Sequence, residues 1–204
     1  RNQADIAAGR RQRARQQLAE LRETVSGEGF RLLELVCSNS LGELARFDGD
    51  FETAHAFYLE SLEGARELGQ TFASVNSKMN LAQVELADGR FEACSARLET
   101  IDDELARMKI HEESTLLPLL QLGLAAGTGA WSEFDRRFEP FQEGWPEDAG
   151  VERDHLWLLE LAGDHAADCA KHQRARRSWK LARQLAEHLG DDESEQRLSE
   201  KLAG

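Results

Sequence analysis

Three side chains in one short stretch have the types and spacing of a metal site. His165, Cys169 and His172 stand at i, i+4 and i+7, which places them along one helical face, and two imidazoles with a thiolate amount to three zinc ligands. A fourth ligand would have to be Asp164 or Asp168, and no spacing rule requires either. His111-Glu112-Glu113 opens a zinc-protease pattern but has Thr115 where the second histidine belongs. The sequence contains no phosphate-cradling glycine loop and no Gly-x-Ser-x-Gly elbow. Catalytic groups must converge in a pocket. Nothing in these spacings makes them converge, so the expectation is a non-enzymatic chain without cofactor, in which Cys169 is a packed thiol and the two histidines lie at the surface.

The elements that would position such groups are helical. Leu41-Gly42, Gly49, Phe51, Ala54, Tyr58 and Ser61 meet Leu81-Ala82, Gly89, Phe91, Cys94, Leu98 and Ile101 after a shift of 40 residues. A third copy is degenerate, with Gly129 and Trp131 in register and Leu122-Gly123 displaced by one position. In the fourth, 121 residues after the first, Ala162-Gly163, Ala175, Trp179 and Ala182 answer Leu41-Gly42, Ala54, Tyr58 and Ser61. Gly9, Ala14, Leu18 and Leu21 fall on the second half of a copy, so the chain is expected to open partway through a repeat and to belong to a longer polypeptide. Within 51–67, Phe51, Ala54, Tyr58, Leu62 and Ala65 recur at steps of three and four, an apolar stripe of helical period. Asp48-Gly49-Asp50 supplies a left-handed stop and a carboxylate cap, whereas Asp88-Gly89-Arg90 repeats the stop without the cap. Gly144-Trp145-Pro146-Glu147-Asp148 breaks the period and reads as a loop that exposes Trp145 as a possible partner contact.

This pattern resembles the tetratricopeptide repeat, in which Leu-Gly of one helix interlocks with Ala, aromatic and Ala of the next. The longer period is similar to that of the maltose-regulon activator and of many bacterial multidomain signalling proteins. The resemblance implies an all-α, right-handed superhelical α-solenoid of antiparallel helix pairs spanning residues 1–204. Its parts would be a truncated repeat over 1–25, pairs over 28–67, 70–108, 112–143 and 151–189, and a capping helix over 191–203. First helices would line a concave groove. The family's inward positions fall on Val36, Asn39, Glu43 and Arg46, on Asn76, Met79, Gln83 and Leu86, and on Trp157, Glu160, Asp164 and Ala167, with Asn80 adjacent. Asn39, Asn76, Asn80 and Gln83 carry donor and acceptor together, so they would bond the main chain of a peptide without demanding its sequence. The alternative is that these amides tie neighbouring helices together. Glu43, Arg46, Glu160 and Asp164 suggest a ligand with some positive charge, and Trp157 completes the candidate groove. Trp131 and Trp179 occupy large-residue packing positions and are expected in the core.

Composition narrows the partners. The formal net charge is −13, from 38 acids and 25 bases, which repels a nucleic-acid backbone. Residues 1–24 are the local exception, with six arginines against three acids, either a solvated face or a basic docking strip. No apolar stretch approaches the roughly 18 residues of a membrane span, and no signal peptide opens the sequence, so a cytoplasmic setting is expected. Cys37, Cys94 and Cys169 are odd in number and fall within predicted helices, as reduced, packed thiols would. The resemblance implies an interaction module of a multidomain bacterial signalling protein, beside a kinase or transcription-regulator domain, binding a protein, a peptide or another segment of its parent. A ligand sensor and a self-association module are the alternatives.

Overall fold

The computed structural model describes residues 3–110, 116–141, 145 and 150–204, with side chains from residue 11 onward except 27 and 28. Among the described residues there are ten α-helices and no strand. They are α1 (Gln3–Glu28), α2 (Arg31–Phe47), α3 (Phe51–Glu67), α4 (Thr71–Ala87), α5 (Phe91–Met108), α6 (Leu117–Gly127), α7 (Trp131–Phe138), α8 (Arg153–Asp168), α9 (His172–Leu189) and α10 (Asp192–Ala203). A 3-10 turn, Glu139–Phe141, follows α7, so the second helix of the third pair stops short of the expected 143. The expected start of that pair and most of the Gly144–Asp148 loop lie outside the described residues.

One device ends most of these helices. Gly49 has φ +77°, and its N–H and the next one turn back to the Arg46 and Ala45 carbonyls, satisfying groups that would otherwise be orphaned. Gly29, Gly69, Gly89, Gly129 and Gly190 repeat the left-handed turn and the longer of its two bonds. Asp50 then caps α3 by accepting from the Thr53 N–H at 3.1 Å, and Asp191 caps α10 by accepting from that of Ser194 at 3.2 Å. Arg90 makes no side-chain cap for α5. After α8, Ala170 takes the glycine's place with φ +55°, and Lys109 does so after α5 with φ +57°.

The chain forms two compact units, Arg1–Val84 and Glu85–Gly204, and the boundary falls within α4. In the first unit α1 packs on α2 and α2 on α3. Ala45, Ala54, Tyr58, Leu62, Leu81 and Val84 make its core, with Phe51 against it. Gly42 is required here, since a methyl group on it would lie 2.7 Å from Cε1 of Tyr58. Arginines of the basic run meet Asp48 at the end of α2. Arg11 Nε bonds Asp48 at 3.0 Å, and Arg15 reaches the same carboxylate at 2.5 Å and the Leu44 carbonyl at 3.4 Å. Cations at a helix C-terminus complement its dipole, so these two act as a fastening between α1 and α2.

In the second unit α6 packs on α5, α7 and α8, while α9 packs on α8 and α10. Gly163 admits the Trp179 indole, and Gly123 admits the Leu86 side chain. Trp179 is half-buried, and its Nε1 donates to Asp164 at 2.9 Å. Trp131 is half-buried rather than in the core, because Lys171 and Arg174 lie over its ring at 5.7 and 5.6 Å. Arg174 and Arg177 also hold Asp135 on α7, at 2.6 and 3.2 Å. No described helix is long and apolar enough to cross a membrane.

Candidate functional site

Four of the candidate groove residues form one hydrogen-bonded chain in the first unit. Gln83 Nε2 donates to Asn80 at 3.2 Å, Asn80 Nδ2 to Asn39 at 2.8 Å, and Asn39 Nδ2 to Glu43 at 2.8 Å. Asn80 and Gln83 are buried, whereas Asn39 and Glu43 are half-buried. A buried amide must find partners within the protein, and here the partners lie on α2 and α4. Arg46, expected in the groove, is only 2% exposed. Its Nε reaches the Tyr58 hydroxyl at 3.4 Å, and its guanidinium lies 4.6 Å over the Phe47 ring. The long stem of arginine allows this retreat into the core.

The beginnings of the same helices are open. Two short reversals, at 48–50 and 68–70, return α4 to the direction of α2, and the Asn39–Asn80 bond sets them side by side. Val36 is 50% exposed and Phe72 69% exposed; Leu32 and Asn76, their counterparts 40 residues away, are exposed too. Of the predicted amides, Asn76 alone stands on this open end. Exposed large apolar residues grouped in this way mark an interaction surface more often than scattered ones do.

The acids of α8 already have their positive partner. Arg197 grips Glu160 with bonds of 2.8 and 2.7 Å, and Lys201 bonds Glu160 at 2.8 Å and Asp164 at 2.6 Å. Burial alone would raise the Glu160 pKa, but the Arg197 and Lys201 hydrogen bonds hold it below the ordinary glutamate value. The cationic ligand expected from the sequence is therefore, at these two positions, the chain's own α10. A signal was present: Arg197 and Lys201 are spaced i, i+4, matching Glu160 and Asp164 on α8. Trp157, half-buried, lies on α8 in this second unit.

The His165, Cys169 and His172 set does not share a helical face. Helix α8 ends at Asp168, Cys169 caps it, and His172 begins α9 beyond the Ala170 turn. His165 meets the Phe91 ring edge-on at 5.4 Å, and burial lowers its pKa. Among the described residues, no group of three or more acidic, histidine or cysteine side chains is arranged to hold a metal ion. Cys169 is exposed, contrary to the expectation of packing, because it falls in the turn; Cys37 and Cys94 are buried. Burial pushes the Cys94 thiol up to about 12, with Glu85 adding to the effect. Trp145 is not a free contact either, being stacked on Phe141 at 5.4 Å and tilted against His155 at 4.9 Å.

No protein-family model matches the chain, and no curated protein matches it.

One further cavity belongs to the first unit. A cleft of about 730 Å³ opens among α1, α2 and α3, with Leu41, Ala45 and Phe57 along its apolar side and Arg15, Glu23 and Asp50 among its charged groups. Its size falls within the range of small-molecule sites.

Proposed function

We propose that this chain is a non-enzymatic interaction module, a tetratricopeptide-like right-handed solenoid serving a multidomain bacterial signalling protein as scaffold or regulatory part. It docks a peptide or partner segment on the open ends of its first helices. The observation that carries this is the pairing of Leu32 with Phe72 and Val36 with Asn76, exposed at equivalent positions on adjacent helices. Apolar surface there would be covered by a partner's side chains, while Asn76 bonds its main chain. Asn39, Asn80, Gln83 and Arg46 then support the face from beneath, the Asn80–Asn39 bond holding α2 and α4 in register and Arg46 reaching Tyr58 on α3. The test compares recovery of partners from a bacterial lysate by the parent chain and by a Val36→Asp, Phe72→Asp double variant of equal helicity. Loss of a specific partner from the variant supports the proposal. Equal recovery of every partner rejects this face.

A second function, sensing of a small molecule, is favoured by the cleft among α1, α2 and α3, which is large enough to enclose one and lined with both apolar and charged groups. Ligand-dependent compaction in small-angle scattering, abolished by Phe57→Ala, would support the sensor; unchanged dimensions would leave the docking face as the working surface.

A further inference from the structure

The first helix pair contains a notch between its two helices. Between α2 and α3 lies a space of about 90 Å³ bordered by Ser38 and Gly64. At the equivalent positions 40 residues on stand Lys78 and Glu104, and 121 residues on stand Leu159 and Leu185. Lys78 and both leucines are buried. The degenerate third copy has Pro118 and Gly144, so the first pair alone combines a hydroxyl with a bare α-carbon there.

Packing does not explain the glycine. Gly64 is in mid-helix, and a methyl group on it would meet nothing nearer than Leu35 at 3.9 Å, an ordinary contact. Glycine in a helix interior is unfavourable relative to alanine, so its effect here is to keep the notch open. Ser38 is fully buried, and among the described residues its Oγ has no hydrogen-bond partner. A buried polar atom of this kind calls for a partner from elsewhere.

The rim defines the partner's charge. Glu34, Glu60, Glu63 and Glu67 surround the notch. Arg31 bridges Glu34 at 3.0 Å and Glu67 at 2.8 Å, and Arg22 pairs with Glu60. Among the described residues, no cation pairs with Glu63. Four carboxylates against two guanidinium groups leave the rim negative. The described residues offer no metal-binding cluster, and the space is too small for a ring, with room for a head group and about one or two waters.

We infer that the α2–α3 notch binds a primary alkylammonium group, of a free polyamine or of a lysine side chain, with Ser38 Oγ accepting one N–H and the glutamate rim neutralising the charge. The site is separate from the α2–α4 docking face and independent of it. Position 78 offers an internal precedent, since the second copy places a buried lysine where the first has Ser38.

Calorimetric titration of the whole chain with cadaverine, and separately with an N-acetylated, C-amidated Gly-Lys-Gly peptide, tests this at constant ionic strength. One saturable site per chain is expected, with affinity falling at least tenfold in Ser38→Lys, which supplies its own ammonium, and at least threefold in Gly64→Ala. Both variants are expected to fold, and tetramethylammonium, lacking N–H donors, is expected not to compete. Tighter binding of the peptide assigns the notch to a protein's lysine, and tighter binding of cadaverine assigns it to polyamines. Absence of saturable binding by either probe, or undiminished binding by both variants, would overturn the inference.

Discussion

The α-carbon of Gly163 lies against the indole of Trp179, sixteen residues further along, as Gly42 lies against the phenol of Tyr58. In the second copy the sequence has Ala82 and Leu98 at these positions, both buried. Gly42→Ala and Gly163→Ala are therefore expected to destabilise their own pairs by about 1–3 kcal/mol each, the usual cost of overpacking. Gly163→Ala should be the more severe, since a methyl there would also meet the Ala175 carbonyl oxygen at 3.2 Å, which is backbone and cannot swing aside. Urea unfolding midpoints compared with the parent chain measure both.

The opposite change is favourable where glycine is missing from a turn. Ala170 and Lys109 adopt left-handed φ of 55° and 57°. An L-residue in that region is strained by about 1–2 kcal/mol, part of which glycine's greater unfolded-state entropy cancels. Ala170→Gly is expected to raise stability by about 0.5–1 kcal/mol, visible as a higher thermal midpoint. A lower midpoint would mean that strain is not what limits this turn.

The amide chain from Gln83 to Glu43 gives a coupled response. Asn80→Ala removes an acceptor from Gln83 and a donor to Asn39, leaving polar atoms stranded at a cost of about 1–3 kcal/mol. A double-mutant cycle with Asn39→Ala should return a coupling energy of about 0.5 kcal/mol or more. Additive losses would show that the two side chains act separately.

Helix α10 should respond to acid through α8. Glu160 has a native pKa below its unfolded value, so its stabilisation is fully present above about pH 4.5 and is lost as pH falls through the native value. Glu160→Gln is expected to cost about 1–3 kcal/mol at pH 7, reduced from a fully buried pair because Arg197 remains partly in water. The difference between the two proteins should narrow as pH falls below 4.5 and close once Glu160 is protonated in the native protein. A gap that persists there would assign the cost to packing.

Thiol chemistry separates the three cysteines. Reaction proceeds through the thiolate and needs access, and Cys169 alone is exposed. At pH 8 one thiol per native chain is expected to react quickly with an aromatic disulfide reagent, with the other two released by denaturant. Cys169→Ser should abolish the fast phase.

Much of the helix pairing was legible because it rests on local chemistry. Gly49 before Asp50, and Phe51, Ala54 and Tyr58 at helical spacing, specify a stop, a cap and a buried stripe within a few residues. The candidate site was less legible because depth depends on where a side chain ends. Arg46 occupies an inward position by register, yet its stem carries the guanidinium to Tyr58. Asn80 and Gln83 look the same in sequence whether they face a ligand or one another, and only the neighbouring Asn39 decides. Cys169 turns on a boundary, since α8 stops at Asp168, two residues short of 170, and that moves the thiol from packed to exposed. The role of α10 was open to a comparison of charge spacing between distant helices, as was the notch to a comparison of Ser38 and Gly64 with their counterparts.

Within each unit the principal helix packings join neighbours or next-but-one neighbours in the chain. Such a chain closes only short loops as it folds, so the entropy spent before each contact forms is small and assembly is fast. Helix α10, which packs on α9 and is tied to α8 by Arg197 and Lys201, can therefore open while the α6–α7 packing of its unit stays closed.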